Sequence, residues 1–188
     1  MEPFTILALI LIFSTAIIFS PLGLGGGLIF MPILHYIMEW EIKTAILGSL
    51  ILVWSVSLGS QFAHQKGGHG DIAMAKKGML FGVPGAIIGV ILGFLLIEHV
   101  SDITIKMIAL VIVSWICYKA ILRILSKEDI TGEVIGEMNE KYWLTGIFMG
   151  GMSSGLLGIG GGGIFVTMHR NYGGLASKSS AGTAFMLA

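Results

Sequence analysis

Two glycine clusters hold most of the chemistry this sequence offers. One reads Gly23-Leu24-Gly25-Gly26-Gly27-Leu28-Ile29-Phe30-Met31-Pro32. The other reads Gly158-Ile159-Gly160-Gly161-Gly162-Gly163-Ile164-Phe165-Val166-Thr167. Glycine has no Cβ and loses more entropy in a helix than any other residue, so such runs interrupt a helix. Both clusters sit inside long uncharged apolar stretches. A helix broken within a membrane leaves amides and carbonyls without helical partners, and such backbone survives only against protein or a water-filled cavity. A helix that restarts after the break presents free N–H groups and partial positive charge, a setting suited to an anion. Matching breaks in matching halves point to a transporter's binding site. The candidate substrate-binding residues are therefore Gly25, Gly26, Gly27, Gly160, Gly161 and Gly162, with Ser49 and Thr183 as hydroxyl donors. Lys43 and Lys178 are candidates for attracting the anion, although anchoring at the membrane interface is the plainer reading for both.

Other chemistries are poorly supported. A dinucleotide loop needs a strand before the glycines, a helix after them and an acidic residue about 20 positions on, and these flanks are membrane-length apolar runs. No paired carboxylates lie within the apolar segments, and no serine has the strand-to-helix setting of a nucleophile elbow. His64, His69 and Asp71 share one polar loop, but glycine-rich spacing there fixes no metal geometry. The single cysteine, Cys117, excludes an intrachain disulfide and a cysteine-based metal cluster. The expectation is no catalytic residue, no metal and no cofactor.

The elements that must position the glycines are membrane helices. Of 188 residues, 55% are hydrophobic and only 12% charged, against roughly 25% charged in a soluble domain. Mean hydropathy is +0.91. Basic and acidic residues balance at 11 each, and no basic block suggests nucleic acid. Residues 3–38 contain no charge. As one helix they would reach ~54 Å at ~1.5 Å per residue, too long for one ~30 Å crossing and short for two. A crossing helix, the glycine break and a second arm that continues outward or folds back is the expectation. Further apolar runs follow at 44–63, 78–97 and 103–125; the first two are uncharged, and the third carries Lys119 and Arg123 one turn apart near its end, besides Lys106 near its start. Gly78 and Gly82, then Gly85, Gly89 and Gly93, recur at fourfold spacing, a stripe that lets another helix approach closely. Residues 126–141 read as a polar linker. A fifth run, 142–168, holds the second glycine cluster, and a sixth is cut short at Ala188, which reads as truncation.

The chain repeats itself. A shift of 135 residues, without gaps, superposes Gly23, Gly25, Gly26, Gly27, Ile29 and Phe30 on Gly158, Gly160, Gly161, Gly162, Ile164 and Phe165, and Lys43 on Lys178. The reading is a first membrane repeat over 1–125, a linker over 126–141 and the start of a second repeat over 142–188. Four crossings per repeat would make both repeats enter the membrane in the same sense. Lys66, Lys76 and Lys77 then share a side with Lys119, Arg123, Lys127 and Lys141, which makes that side cytoplasmic and places the N-terminus with it.

These residues resemble a known family. The two Gly-Gly-Gly-x-Ile-Phe segments, Ala181-Gly182-Thr183, the loop over 64–71 and Pro84-Gly85-Ala86-Ile87-Ile88-Gly89 are similar to the TauE/SafE family of sulfite exporters. The resemblance implies about eight membrane helices in two related halves, and movement of sulfite, sulfoacetate or other small anions, mostly out of the cell. The chain departs from the pattern at Thr167, where the first copy has Pro32, and at Leu47-Gly48-Ser49.

The expected protein is thus all-α: a multi-pass inner-membrane secondary transporter of a small, sulfur-containing anion, working by alternating access. Its partners are the anion and the bilayer, with a homo-oligomer left open and no nucleic acid. The alternatives are a non-transporting assembly subunit that packs through the glycine stripe, and a membrane enzyme built on His64, His69 and Asp71.

Overall fold

The computed structural model describes residues 3–20, 23–99, 102–125 and 137–188. Most of the linker expected over 126–141 lies outside them. All the regular structure described is helical. The helices are α1 (Pro3–Phe19), α2 (Gly27–Pro32), α3 (Ile42–Lys66), α4 (Ile72–His99), α5 (Asp102–Leu125), α6 (Glu140–Leu157), α7 (Gly162–Asn171) and α8 (Ser177–Leu187).

The first glycine cluster turns the chain back on itself. Gly23, Gly25 and Gly26 take φ of +76°, +68° and +83°, a left-handed conformation that costs a residue with a Cβ about 1–2 kcal/mol. The returning arm is α2, which widens into a π-helical turn over Ile33–Ile37. Pro32 explains the widening. It has no N–H to donate and its ring crowds the carbonyl four residues back. Trp40 N–H then donates to the Leu34 carbonyl at 3.1 Å. The end of the arm lies beside the start of α1: Thr5, Ala8, Leu34, Met38 and Gly48 border one apolar cleft of about 330 Å³. This first hairpin therefore opens at the Ile42 end of α3.

The second cluster makes the same turn from the other direction. Asn139 caps α6 by accepting from Tyr142 N–H, an N-cap arrangement that satisfies one free amide of the first turn. Gly158 ends α6 at φ +67°, as glycine does at many helix C-termini. The arm α7 returns, and Asn139 N–H donates to the Tyr172 carbonyl at 2.8 Å, closing the hairpin at its base. Here Thr167 replaces proline. Its hydroxyl bonds the Gly163 carbonyl at 2.8 Å, and α7 stays a regular α-helix. Glu140 pairs with Lys77 of α4 at 2.7 Å, and Met74 of α4 packs against Gly173. Since α4 starts beyond Lys66, the second hairpin opens at the Lys66 end of α3.

The two hairpins thus enter from opposite ends. This corrects the expectation that both repeats run in the same sense. That count treated residues 3–38 as one crossing, whereas the segment enters and leaves at the same end. Three long helices, α3 to α5, then separate the hairpins, and an odd number inverts the second. The N-terminus is accordingly at the end opposite Lys66.

The glycine stripe of α4 fastens the second hairpin. A Cβ on Gly85 or Gly89 would overlap the Phe148 or Met152 carbonyl of α6. From the other side, Cβ atoms on Gly151 and Gly155 would overlap the carbonyls of Gly82 and Ala86. Two helices with small residues every fourth position lie backbone to backbone, the packing that dispersion and Cα–H···O contacts favour in lipid. The outer faces are apolar: Leu80 is 71% exposed and Phe62 66%. Helices α3 and α4 are long and apolar enough to cross a membrane, with only 33% and 22% of their most apolar stretches buried. Large contiguous apolar surface of this kind marks contact with lipid or with another protein.

Gly89→Leu is expected to force α4 and α6 apart and to cost about 1–3 kcal/mol, the usual range for overpacking. Thermal melting of the purified protein in detergent checks it, with Phe94→Ala, at a 42% exposed position, as the control. An unchanged Tm for Gly89→Leu would remove the stripe as the fastening.

Candidate functional site

The hairpin tips meet. Positioned by α1 and α2 on one side and α6 and α7 on the other, they pass each other near the middle of α3, where Gly25 and Gly160 both face Val53. A Cβ on Gly27 would overlap the Ile159 carbonyl, and one on Gly162 would lie 2.6 Å from the Gly23 carbonyl. Gly23 packs on Ala181 of α8, and Gly158 packs on Ile46 of α3. These contacts come in pairs related by the 135-residue shift: Gly23 with Gly158, Gly27 with Gly162, and Ile46 with Ala181. A two-fold relation between the tips follows. In each tip the phenylalanine four residues on, Phe30 or Phe165, lays its ring over Gly26 or Gly161. Both rings are fully buried, 0% and 2% exposed.

Each residue singled out in the sequence has a definite place. Gly25, Gly26, Gly27, Gly160, Gly161 and Gly162 are all buried at the junction. Ser49 is buried beside it, and its hydroxyl donates to the Gly158 carbonyl at 2.6 Å, tying the second tip to α3. Thr183 is further off. Its hydroxyl donates to the Ser179 carbonyl at 2.7 Å and accepts from Asp71 N–H at 2.9 Å, holding the loop after α3 onto α8. Asp71 itself accepts from Met74 N–H at 2.9 Å, a cap on α4. Lys43 and Lys178 do not converge. Lys43 lies one turn before Ile46 and borders a small cleft with Gly155 and Leu156. Lys178 is exposed at the start of α8, one turn before Ala181. Each lysine therefore stands beyond one tip, at opposite ends of the bundle.

The electrostatics of the junction come from backbone. The amides of Gly160, Gly161, Gly162, Gly163 and Ile164 have no hydrogen-bond partner among the described residues, whereas Phe165 N–H already reaches the Gly161 carbonyl at 2.8 Å. All five residues are buried. Buried amides are almost always paired with protein or water, so successive unpaired amides at a helix start form an anion-binding concavity. Among the described residues no group of three or more His, Cys, Asp or Glu comes within reach of one metal ion.

Sequence reasoning gave no special weight to Ser57. Four serines lie on α3, and three have partners. Ser49 bonds the second tip, Ser55 bonds its own helix at the Ile51 carbonyl, and Ser60 bonds Ser20 at 2.5 Å. Ser57 is 3% exposed and its hydroxyl has none among the described residues. Its signal was in the sequence: Ser49, Val53, Ser57, Ser60 and His64 are spaced four, four, three and four, which is one helix face.

Opposed hairpins joined at glycine tips, in an apolar-faced helical bundle, fit the class of helical membrane proteins. The chain belongs to the sulfite exporter TauE/SafE family, whose model matches residues 7–188. The family's proteins are transporters rather than enzymes, and at family level they export sulfite or similar anions across a membrane. No curated protein and no solved structure matches the chain.

Ser49→Ala is expected to leave the buried Gly158 carbonyl without its donor and to cost about 1–3 kcal/mol. Ser55→Ala, which loses only a bond within its own helix, is expected to leave stability unchanged. Parallel melts of the two variants decide it, and equal shifts would refute the tie between α3 and the second tip.

Proposed function

We propose that this chain is a secondary exporter of a small oxoanion, sulfite or an organosulfur anion, in the inner membrane. The anion binds where the two glycine tips meet, between Gly25, Gly26 and Gly27 on one side and Gly160, Gly161 and Gly162 on the other. Ser49 holds the second tip and Thr183 braces the adjoining loop. The carrying observation is the row of buried amides from Gly160 to Ile164 that have no partner among the described residues. They can stabilise negative charge without a fixed counter-charge.

In the proposed arrangement α3, α4 and α5 cross the bilayer and each hairpin dips in from its own side. The repeats take in 1–125 and 142–188, joined by 126–141. Ten of the 11 basic residues fall on described segments. Lys43 and Lys106 lie at the Ile42 end and the other eight at the Lys66 end, so the Lys66 end faces the cytoplasm. Alternating access follows from the opposed hairpins: the site opens to one side or the other as the repeats rock about the shared tips. The assembly-subunit alternative loses its surface, because α6 and Leu187 already cover the glycine stripe.

Purified protein in proteoliposomes is expected to carry sulfite down its gradient, with sulfate and an organosulfonate tested alongside. Absence of flux for all three from inserted, folded protein would defeat the proposal. The topology is tested separately in a Cys117→Ser background. Glu41→Cys and Gln65→Cys are expected to react with an impermeant thiol reagent from opposite faces, Gln65→Cys from the cytoplasmic one. Reaction from the same face would refute the crossing of α3, on which the opposed hairpins depend.

A further inference from the structure

Of the six candidate tip glycines, five have no space in front of them. A Cβ on Gly26, Gly27, Gly160, Gly161 or Gly162 would lie within 2.7 Å of a neighbour. Gly25 differs. Its nearest neighbours would be Val53 at 3.6 Å, Phe185 at 3.9 Å and the Ser57 hydroxyl oxygen at 4.0 Å. The unpaired hydroxyl thus faces the one candidate tip glycine where an added Cβ would make only ordinary van der Waals contacts.

Polar groups lead from this point to one end only. One turn beyond Ser57, toward Lys66, the Ser60 hydroxyl bonds that of Ser20 at 2.5 Å. The His64 ring packs on Phe185 at 5.6 Å and stands 6.5 Å from the His69 ring. His69 is on the loop at the Lys66 end, partly exposed. In the other direction the same face of α3 presents Val53, then Ser49, whose hydroxyl is already committed to Gly158.

We infer that Ser57 is a direct ligand of the transported anion, donating its Oγ–H, and that the anion reaches it from the Lys66 end past His69, His64 and Ser60. The inference rests on the anion site proposed above and names the side chain and the route that the site uses. A buried hydroxyl without a partner costs folding free energy. A compact oxoanion supplies the missing acceptor beside Gly25 of the first tip. The ligand class is a small tetrahedral or pyramidal oxoanion or the sulfonate head of a larger molecule. An anion of this kind has several acceptor oxygens for one hydroxyl and neighbouring amides.

The experiment uses the full chain with Cys117→Ser, a background required to keep sulfite flux. Ser57→Ala is compared for sulfite flux and for Tm. A purely structural hydroxyl without a partner predicts unchanged or raised stability and unchanged transport. A ligand predicts unchanged or raised Tm together with roughly a tenfold or larger rise in the half-saturating sulfite concentration. In parallel, Ser57→Cys is treated with 2-sulfonatoethyl methanethiosulfonate, itself a sulfonate, and with its trimethylammonium analogue, in inside-out and right-side-out vesicles. The expected result is modification by the anionic reagent from the Lys66 face, faster than by the cationic one. Normal sulfite affinity in Ser57→Ala overturns the ligand assignment while wild-type flux leaves the transporter reading intact. Modification only from the opposite face, or none, overturns the route. If wild type carries no sulfite but Ser57→Cys still reacts with the sulfonate reagent from the Lys66 face, the route stands and the substrate reading is what has failed.

Discussion

A carbonyl of one hairpin tip occupies the place where the other tip's glycine would carry a Cβ. Everything else in the bundle depends on that approach. In hydrocarbon an interrupted helix cannot turn to water for its amides and carbonyls, so the interruption has to be shielded by protein. Each tip here shields the other, and both lean on Val53, while Phe30 and Phe165 close over Gly26 and Gly161. The shielding is good enough to bury the junction and incomplete enough to leave the amides from Gly160 to Ile164 without a partner among the described residues. The same geometry explains why glycine substitutions make poor probes of binding. A side chain at Gly26 has to adopt φ +83° and displace the Phe30 ring, so loss of transport there would report on the fold.

Much of this was legible as pattern. The ungapped 135-residue shift identified the residues that pair across the two-fold, and the fourfold spacing from Gly78 to Gly93 identified a close helix contact. The partner of that contact was less visible. Gly151 and Gly155 have the same spacing but sit beside the second glycine cluster, where they read as part of it. Sense was the feature that pattern could not supply. Thirty-six uncharged residues fit neither one crossing nor two, and hydropathy does not distinguish an arm that continues from one that returns. The return is decided by local stereochemistry: positive φ at Gly23, Gly25 and Gly26, and the widened turn that Pro32 imposes.

Inversion also explains why the matched lysines separate while the matched glycines converge. A two-fold axis in the plane of the bundle sends equivalent residues to opposite ends unless they lie close to the axis. Gly27 and Gly162 lie close to it, each against the backbone of the other tip, at Ile159 and at Gly23. Lys43 and Lys178 lie far from it, so equivalence itself keeps them apart. Ser49 and Thr183 are offset by 134 residues and are not equivalents. They ended in different structural roles, one tying a tip to α3 and the other pinning a loop to α8. Resemblance between repeats therefore predicts a shared site only for residues near the axis, a restriction that a linear comparison does not reveal.

The charge distribution suits the proposed transport cycle. A fixed lysine at the junction would bind an oxoanion strongly, and a carrier must also release it. Weak sites made of dipoles are filled and emptied more readily than sites made of full charges. In the proposed site the full charges stand outside, Lys43 beyond one tip and Lys178 beyond the other, where they raise the local anion concentration at each mouth. The interior offers partial charges only: amides of the second tip, the helix start behind them and one hydroxyl. The helix dipole places roughly half a positive charge there, enough to offset part of the desolvation of a small anion without trapping it. The described interior around the tips holds no carboxylate to repel the anion, since Asp71 is engaged in capping α4 at the Lys66 end. Selectivity then falls to shape and acceptor geometry, because an interior of glycine amides recognises oxygen lone pairs and leaves little room around them.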